Sequence, residues 1–140
     1  ADADGSIGQA LQAESADLVE ARDAAWRVLE QVARQRDPAA RVALAKDLLP
    51  AKGAPGEERS QLAACLRAAA SLLRDAGLMA AGADRRVLAN GDLASALERL
   101  SQSFDADRSV AAHAAVGRAL AALDRNASPK VVADWLVLQL

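Results

Sequence analysis

Alanine and leucine dominate the apolar half of this chain, and that one fact narrows the fold more than any other. Apolar residues make up 52% of the 140 residues, yet aromatics contribute only 2%. A core built from alanine and leucine has strong helix formers and small side chains, which suit helices packed closely together. Residues of high strand preference are sparse, and no long stretch alternates with period two. The expected class is all-α, a single compact bundle of about five to seven helices. A chain of this length can bury a real core without disulfide or metal staples.

Helix boundaries can be read from punctuation. Residues 6–14 read as a short helix started by Gly5-Ser6, and residues 15–36 as a second. In the second, Leu18, Arg22, Ala25, Trp26, Leu29, Val32 and Ala33 recur at spacings of three and four and form one mostly apolar stripe. Asp37-Pro38 combines a capping side chain with a first-turn proline and restarts a helix that runs to about Leu49. The stretch Pro50-Ala51-Lys52-Gly53-Ala54-Pro55-Gly56 reads as a loop. A fourth helix covers residues 57–76, with Leu62, Cys65, Leu66, Ala69, Leu72 and Leu73 inward and Gly77 as its stop. Residues 78–91 read as a loop with at most one helical turn. Asp92 starts a short helix through Ser101. Asp105 or Asp107 starts a long one through about Asn126, with Val110, Ala114, Gly117, Leu120 and Leu123 as its inner face. Gly117 costs a helix about 1 kcal/mol relative to alanine, so it points to a close helix crossing. Ser128-Pro129 repeats the cap-plus-proline device and opens a last helix to Leu140.

The chemistry-bearing residues are few. His113 and Cys65 are the only histidine and the only cysteine, so neither has a partner of its own kind for a metal site. Cys65 falls on the core stripe, where a small thiol packs, which argues against a Cys65–His113 catalytic pair. No phosphate-cradling Gly-x-x-x-x-Gly-Lys-Ser/Thr occurs. The net charge is −2 and the two signs are interspersed, which argues against a dedicated nucleic-acid face. Glu20, Asp23 and Arg27, or Glu30 and Arg34, read as ordinary helix-surface pairs, and Arg85-Arg86 as a small basic spot. No catalytic residue, metal, cofactor or small-molecule substrate is expected. No apolar run approaches the roughly 20 residues needed to cross a bilayer, and no secretory signal is visible. One unpaired cysteine fits a reducing, cytoplasmic setting. Ala1 in place of a methionine reads as a piece of a longer protein.

The last helix is the best interface candidate. Val131, Val132, Trp135, Leu136, Val137, Leu138 and Leu140 leave it few polar positions. A helix apolar nearly all round has to be covered on more than one side. Trp135, Val131, Leu138 and Leu140 are therefore the candidate interface residues, Trp135 foremost, since tryptophan concentrates at binding hot spots. Core packing is the plainer role for Trp135, as it is for Trp26.

Two short signatures add a resemblance. Gly5-Ser6-Ile7-Gly8-Gln9-Ala10-Leu11 stands near the start; Leu123-Asp124-Arg125-Asn126-Ala127-Ser128-Pro129 precedes the apolar run from Lys130 to Leu140. Together they resemble the C-terminal part of bacterial DNA polymerase III clamp-loader subunits of the delta-prime type. In ATP-binding relatives the first motif has the form Gly-Ser-x-Arg-x-Ala-Leu, where the arginine senses nucleotide phosphates. Gly8 takes the arginine's place here, as in the delta-prime type, so that sensor would be missing. In the second motif the family has an apolar helix, Asn, a small residue, Asn or Ser, Pro, and a final helix with an acidic residue before leucines. These match Leu120, Leu123, Asn126, Ala127, Ser128, Pro129, Asp134 and Leu136, although the family usually carries glutamate at the place of Asp134 and often arginine near Gln139.

The resemblance implies that residues 1–13 end an AAA+ lid domain and that residues 14–140 form a helical collar. The implied role is structural. Collars of neighbouring subunits, gamma/tau and delta, pack into a ring that holds the ATPase modules while the sliding clamp is loaded on primed DNA. DNA and clamp would be met only indirectly. The whole subunit would belong to a DNA polymerase assembly, without catalysis by this segment. Three alternatives stand beside it: the collar of gamma/tau, against which Gly8 argues; a helical interaction domain unrelated to replication; and a small helical enzyme.

Overall fold

The structure is a computed structural model that describes residues 2–49 and 55–140, with side-chain placement from residues 7 and 56 onward. Among the described residues there are six α-helices and no strand: α1 Asp2–Arg34, α2 Pro38–Leu44, α3 Pro55–Ala80, α4 Ala94–Ser103, α5 Ala106–Asp124 and α6 Pro129–Gln139. A 3₁₀ turn at Ala45–Leu48 extends α2, and two more, Arg85–Val87 and Gly91–Leu93, lie between α3 and α4. The all-α bundle expected from composition is what the chain forms. The loop expected at 50–56 falls largely outside the described residues, and α3 already begins at Pro55.

α3 is the centre. It packs against α1, α4, α5 and α6, and α6 in turn lies on α5 and α2. Leu62, Leu66, Leu72, Leu73 and Ala76 of α3 are completely buried, while Ala63, Ala64, Ala68 and Ala70 pack at the edges of the same core. Small residues between the leucines let several helices approach one axis. Each fully buried leucine contributes about 1.5–3 kcal/mol of transfer free energy. From the other elements Val28, Leu29, Val32, Leu97, Phe104, Val116, Leu136 and Val137 complete the core.

The N-terminal segment is one helix of 33 residues rather than two. It starts ahead of Gly5-Ser6, and Ser15 neither starts nor ends a helix. Residues 9–34 contain no glycine or proline, so nothing there makes a break cheap. Among its described side chains only the second half is covered. Ala21, Ala25, Val28, Leu29 and Val32 are buried, whereas Leu18, placed on the same stripe by spacing, is exposed.

α3 runs through Gly77, which the sequence marks as a stop, because Gly77 solves a packing problem. A Cβ there would stand 3.1 Å from the Ser109 Cβ on α5. The true stop is Gly82, with φ of 81°. Its N–H donates to the Met79 carbonyl and the Ala83 N–H to the Leu78 carbonyl, which closes a Schellman motif. Asn126 ends α5 in the same way, with φ of 69°, the Asn126 N–H donating to Leu123 and the Ala127 N–H to Ala122. Asparagine is among the few side chains that tolerate this conformation.

Other caps follow the sequence more closely. The carboxylates of Asp37 and Asp105 accept from the N–H groups of Ala40 (3.2 Å) and Arg108 (2.8 Å) and so start α2 and α5. Pro129 occupies the first turn of α6, but Ser128 makes no side-chain cap. Asp92 caps nothing either; its carboxylate takes a two-pronged contact from Arg22 at 2.8 and 3.0 Å, tying α1 to the start of α4.

Arginines close several helix C-termini. Arg59 of α3 donates to the carbonyls of Leu123 (3.0 Å) and Ala127 (2.8 Å) at the end of α5. Arg41 donates to Gln35 (2.7 Å) and Val32 (3.4 Å) at the end of α1. Arg108 donates to Ser103 (3.1 Å) and Leu140 (3.3 Å) at the ends of α4 and α6. Cations suit these positions, where unpaired carbonyls concentrate partial negative charge.

The face of α5 assigned from sequence holds only at its C-terminal end, where Leu123 is buried and Leu120 packs against the core. Val110, Ala114 and Gly117 point outward, and the buried set is Ser109, Ala112, Ala115, Val116, Ala119 and Leu123. With alanine on every side, valine spacing alone does not fix the rotation of the helix. Gly117 has open space where a Cβ would stand, so the close crossing expected there occurs at Gly77 instead. The region between α3 and α4 is anchored by Asp75, a completely buried carboxylate. It accepts from the N–H groups of Ala89 (3.1 Å) and Asn90 (2.7 Å) and from Asn90 Nδ2 (2.8 Å).

Candidate interaction surface

α6 carries two stripes. Val132, Ala133, Leu136 and Val137 face the core. Val131, Trp135 and Leu138, spaced by four and three, share the opposite side. Val131 is 64% exposed and Leu138 44%, while Trp135 is partly buried against the core. The Arg118 guanidinium of α5 lies 5.5 Å from the Trp135 ring centroid, within cation–π range. Lys130 and Asp134 pair at 3.1 Å on the flank. Leu140, grouped with these residues by sequence, belongs to the core instead, at 7% exposure. It lies one further turn along the inward stripe of Leu136 and Val137 and is held by Arg108.

A second uncovered apolar face was not singled out from sequence. Ile7, Leu11 and Leu18 continue the stripe that the second half of α1 buries, yet each is more than half exposed. The signal was available: spacings of four and seven put these three on the line of Ala25 and Val32.

The chemistry-bearing side chains do not converge. Cys65 lines a cleft of about 360 Å³ between α1, the Ala45–Leu48 turn and α3, beside Glu20, Arg27 and Leu48. Burial pushes its thiol above the ordinary value, Glu20 adds to this and Arg27 opposes it. His113 is exposed and lines a different groove, between α3 and α5, with Leu73, Gly77 and Val110. Among the described residues no group of three or more His, Cys, Asp or Glu side chains is placed to hold a metal ion. No described helix is long and apolar enough to cross a membrane. Arg85 pairs with Glu98 at 2.7 Å and Arg86 with Asp84 at 3.4 Å, so the basic spot is locally neutralised.

Comparison with family models, with curated proteins and with solved structures finds no match to this chain.

Proposed function

We propose that this chain is a helical assembly domain of the clamp-loader collar kind, delta-prime type, which holds neighbouring subunits in register and carries out no chemistry itself. In this reading residues 1–13 close an AAA+ lid and residues 14–140 form the collar, in a cytoplasmic complex with gamma/tau and delta. The observation that carries the assembly role is the outward stripe Val131, Trp135 and Leu138 on α6. Val131 and Leu138 present aliphatic surface that the core does not use, on either side of the partly buried Trp135, the composition of a binding hot spot. The replication setting rests on the resemblance of residues 5–11 and 123–136 alone.

A second reading is a helical interaction domain outside replication. It is favoured by the unbroken course of α1 across residues 13 and 14, where a lid–collar junction would fall.

Native mass spectrometry with collar-containing gamma/tau and delta subunits separates the two. The collar reading expects a mixed oligomer with one copy of this chain. Val131→Glu with Leu138→Glu should abolish that species while leaving the melting temperature within about 2 °C, because exposed positions change stability little. No mixed species at micromolar concentration would sink the collar assignment.

A further inference from the structure

We propose that the cleft where the C-terminal ends of α1, α4 and α6 meet is a phosphate site, in which Arg36, Arg41 and Arg108 hold a phosphate-class oxyanion.

The cleft measures about 400 Å³ and is lined by Arg36, Arg41, Arg108, Gln102, Ser103 and Leu140, with Ala33 at its edge. No Asp or Glu side chain is in that lining. Five arginines elsewhere pair with acids, Arg22 with Asp92, Arg34 with Glu30, Arg74 with Asp75, Arg85 with Glu98 and Arg86 with Asp84, and the others without an ion pair among the described residues do not share one cleft lining as these three do. Among the described residues none of the three cleft arginines is within ion-pair distance of a side-chain carboxylate. At nearby helix starts Asp37 accepts from the Ala40 N–H and Asp105 from the Arg108 N–H; both keep their charge, and Asp105 acts on Arg108 from outside the cleft lining.

Converging helix C-termini explain part of the positive charge. Each carries at most about half a negative charge, so three such ends by themselves offset about half of three guanidinium charges, and Asp105 adds to this at Arg108. Arg41 and Arg108 each use two donor contacts on those carbonyls, out of five N–H groups per guanidinium. Arg108 is also stacked 4.1 Å from the centroid of the Phe104 ring. These contacts hold two guanidinium groups in place with donors to spare. Arg36 is exposed, and its side chain makes no hydrogen bond among the described residues. Burial lowers the Arg108 pKa below its ordinary value; Arg41 and Arg36 lower it further, and Asp105 opposes them. An anion in the cleft relieves that crowding. Donors arriving from separate elements suit a tetrahedral oxyanion, which accepts from several directions, better than a planar carboxylate. A carboxyl group at Leu140 would bring one negative charge of its own, and the experiment has to separate that case.

The test is titration of the folded chain with inorganic phosphate, then pyrophosphate, at ionic strength held constant with sodium chloride. Binding is followed through the arginine Nε–H NMR signals and the melting temperature. The expected result is saturable movement of the Arg36, Arg41 and Arg108 signals and a rise in melting temperature. Arg36→Gln should weaken binding about tenfold or more, the size of one charge-assisted contact. It leaves every helix-end contact of Arg41 and Arg108 intact, so loss of fold does not confuse the outcome. Three results overturn the proposal: no saturation by 10 mM phosphate, about the upper end of a useful affinity scale; equal affinity in Arg36→Gln; or binding only when residues are appended after Leu140, which would make the chain's own carboxylate the occupant.

Discussion

Asp75 offers the sharpest test of how the segment between α3 and α4 is held. The side chain is completely buried, and its carboxylate satisfies two backbone N–H groups and the Asn90 amide. In Asp75→Ala the N–H groups of Ala89 and Asn90 lose their acceptor, while Asn90 Nδ2 keeps Ser71 Oγ at 3.0 Å. The buried Asn90 donor costs about 1–3 kcal/mol when orphaned, and the Ala89 donor, on an exposed residue, costs less because water can reach it. Relief from burying a charge offsets part of this, and a net loss of about 2 kcal/mol is expected. That is a substantial share of the 5–15 kcal/mol typical of a domain. Urea unfolding followed by far-UV circular dichroism should show the midpoint falling at constant slope. Asp75→Asn keeps the shape but aims an NH₂ group at donors, and should lose about 2 kcal/mol. Hydrogen exchange at the Ala89 and Asn90 amides should quicken in both variants. A loss below about 1 kcal/mol in Asp75→Ala, or an unchanged midpoint in Asp75→Asn, would refute the reasoning.

Gly117→Ala should stabilise by about 1 kcal/mol and raise the melting temperature by about 3 °C, since the site is open and helical. Gly77→Val should instead destabilise by about 2 kcal/mol, because the added atoms meet Ser109; calorimetry of the two variants side by side checks both signs. The Arg22 contact holds the Asp92 carboxyl below the usual carboxylate range. Its stabilising effect is therefore present above the unfolded value near pH 3.9 and is lost as pH falls through the folded value. Arg22→Gln should return the Asp92 titration seen by NMR to the ordinary range. Burial raises the Cys65 pKa, so folded protein should react slowly with a thiol reagent at neutral pH, and stability should decline as pH climbs past about 8.5, the ordinary thiol value. Rapid labelling of native protein would contradict the burial of that thiol.

Much of the helical pattern was readable because it depends on local rules. Asp37-Pro38, Asp105 and the inward leucines of α3 behave as capping chemistry and periodicity dictate. What escaped was decided between helices. The rotation of α5 depends on which alanines α3 accepts, and a helix with alanine all round does not announce it. Gly77 resembles a stop until the proximity of Ser109 is known. The contacts of Arg59 with Leu123 and Ala127 join residues more than 60 positions apart, beyond any local pattern. Val131 and Leu138 lie exposed because a short helix cannot bury every apolar position. Leu140 was misjudged because the final turn tucks inward.

The course of α1 also has a mechanical meaning. A helix without glycine or proline from residue 9 to residue 34 has no built-in joint, and its second half is clamped in the core. Any load attached near Gln9 acts on the bundle through a stiff lever about 18 Å long, at 1.5 Å per residue over the uncovered turns. Torque applied at the free arm is transmitted to Val28 and Val32 rather than dissipated in a flexible joint, so displacement of the arm and tilting of the bundle are one motion.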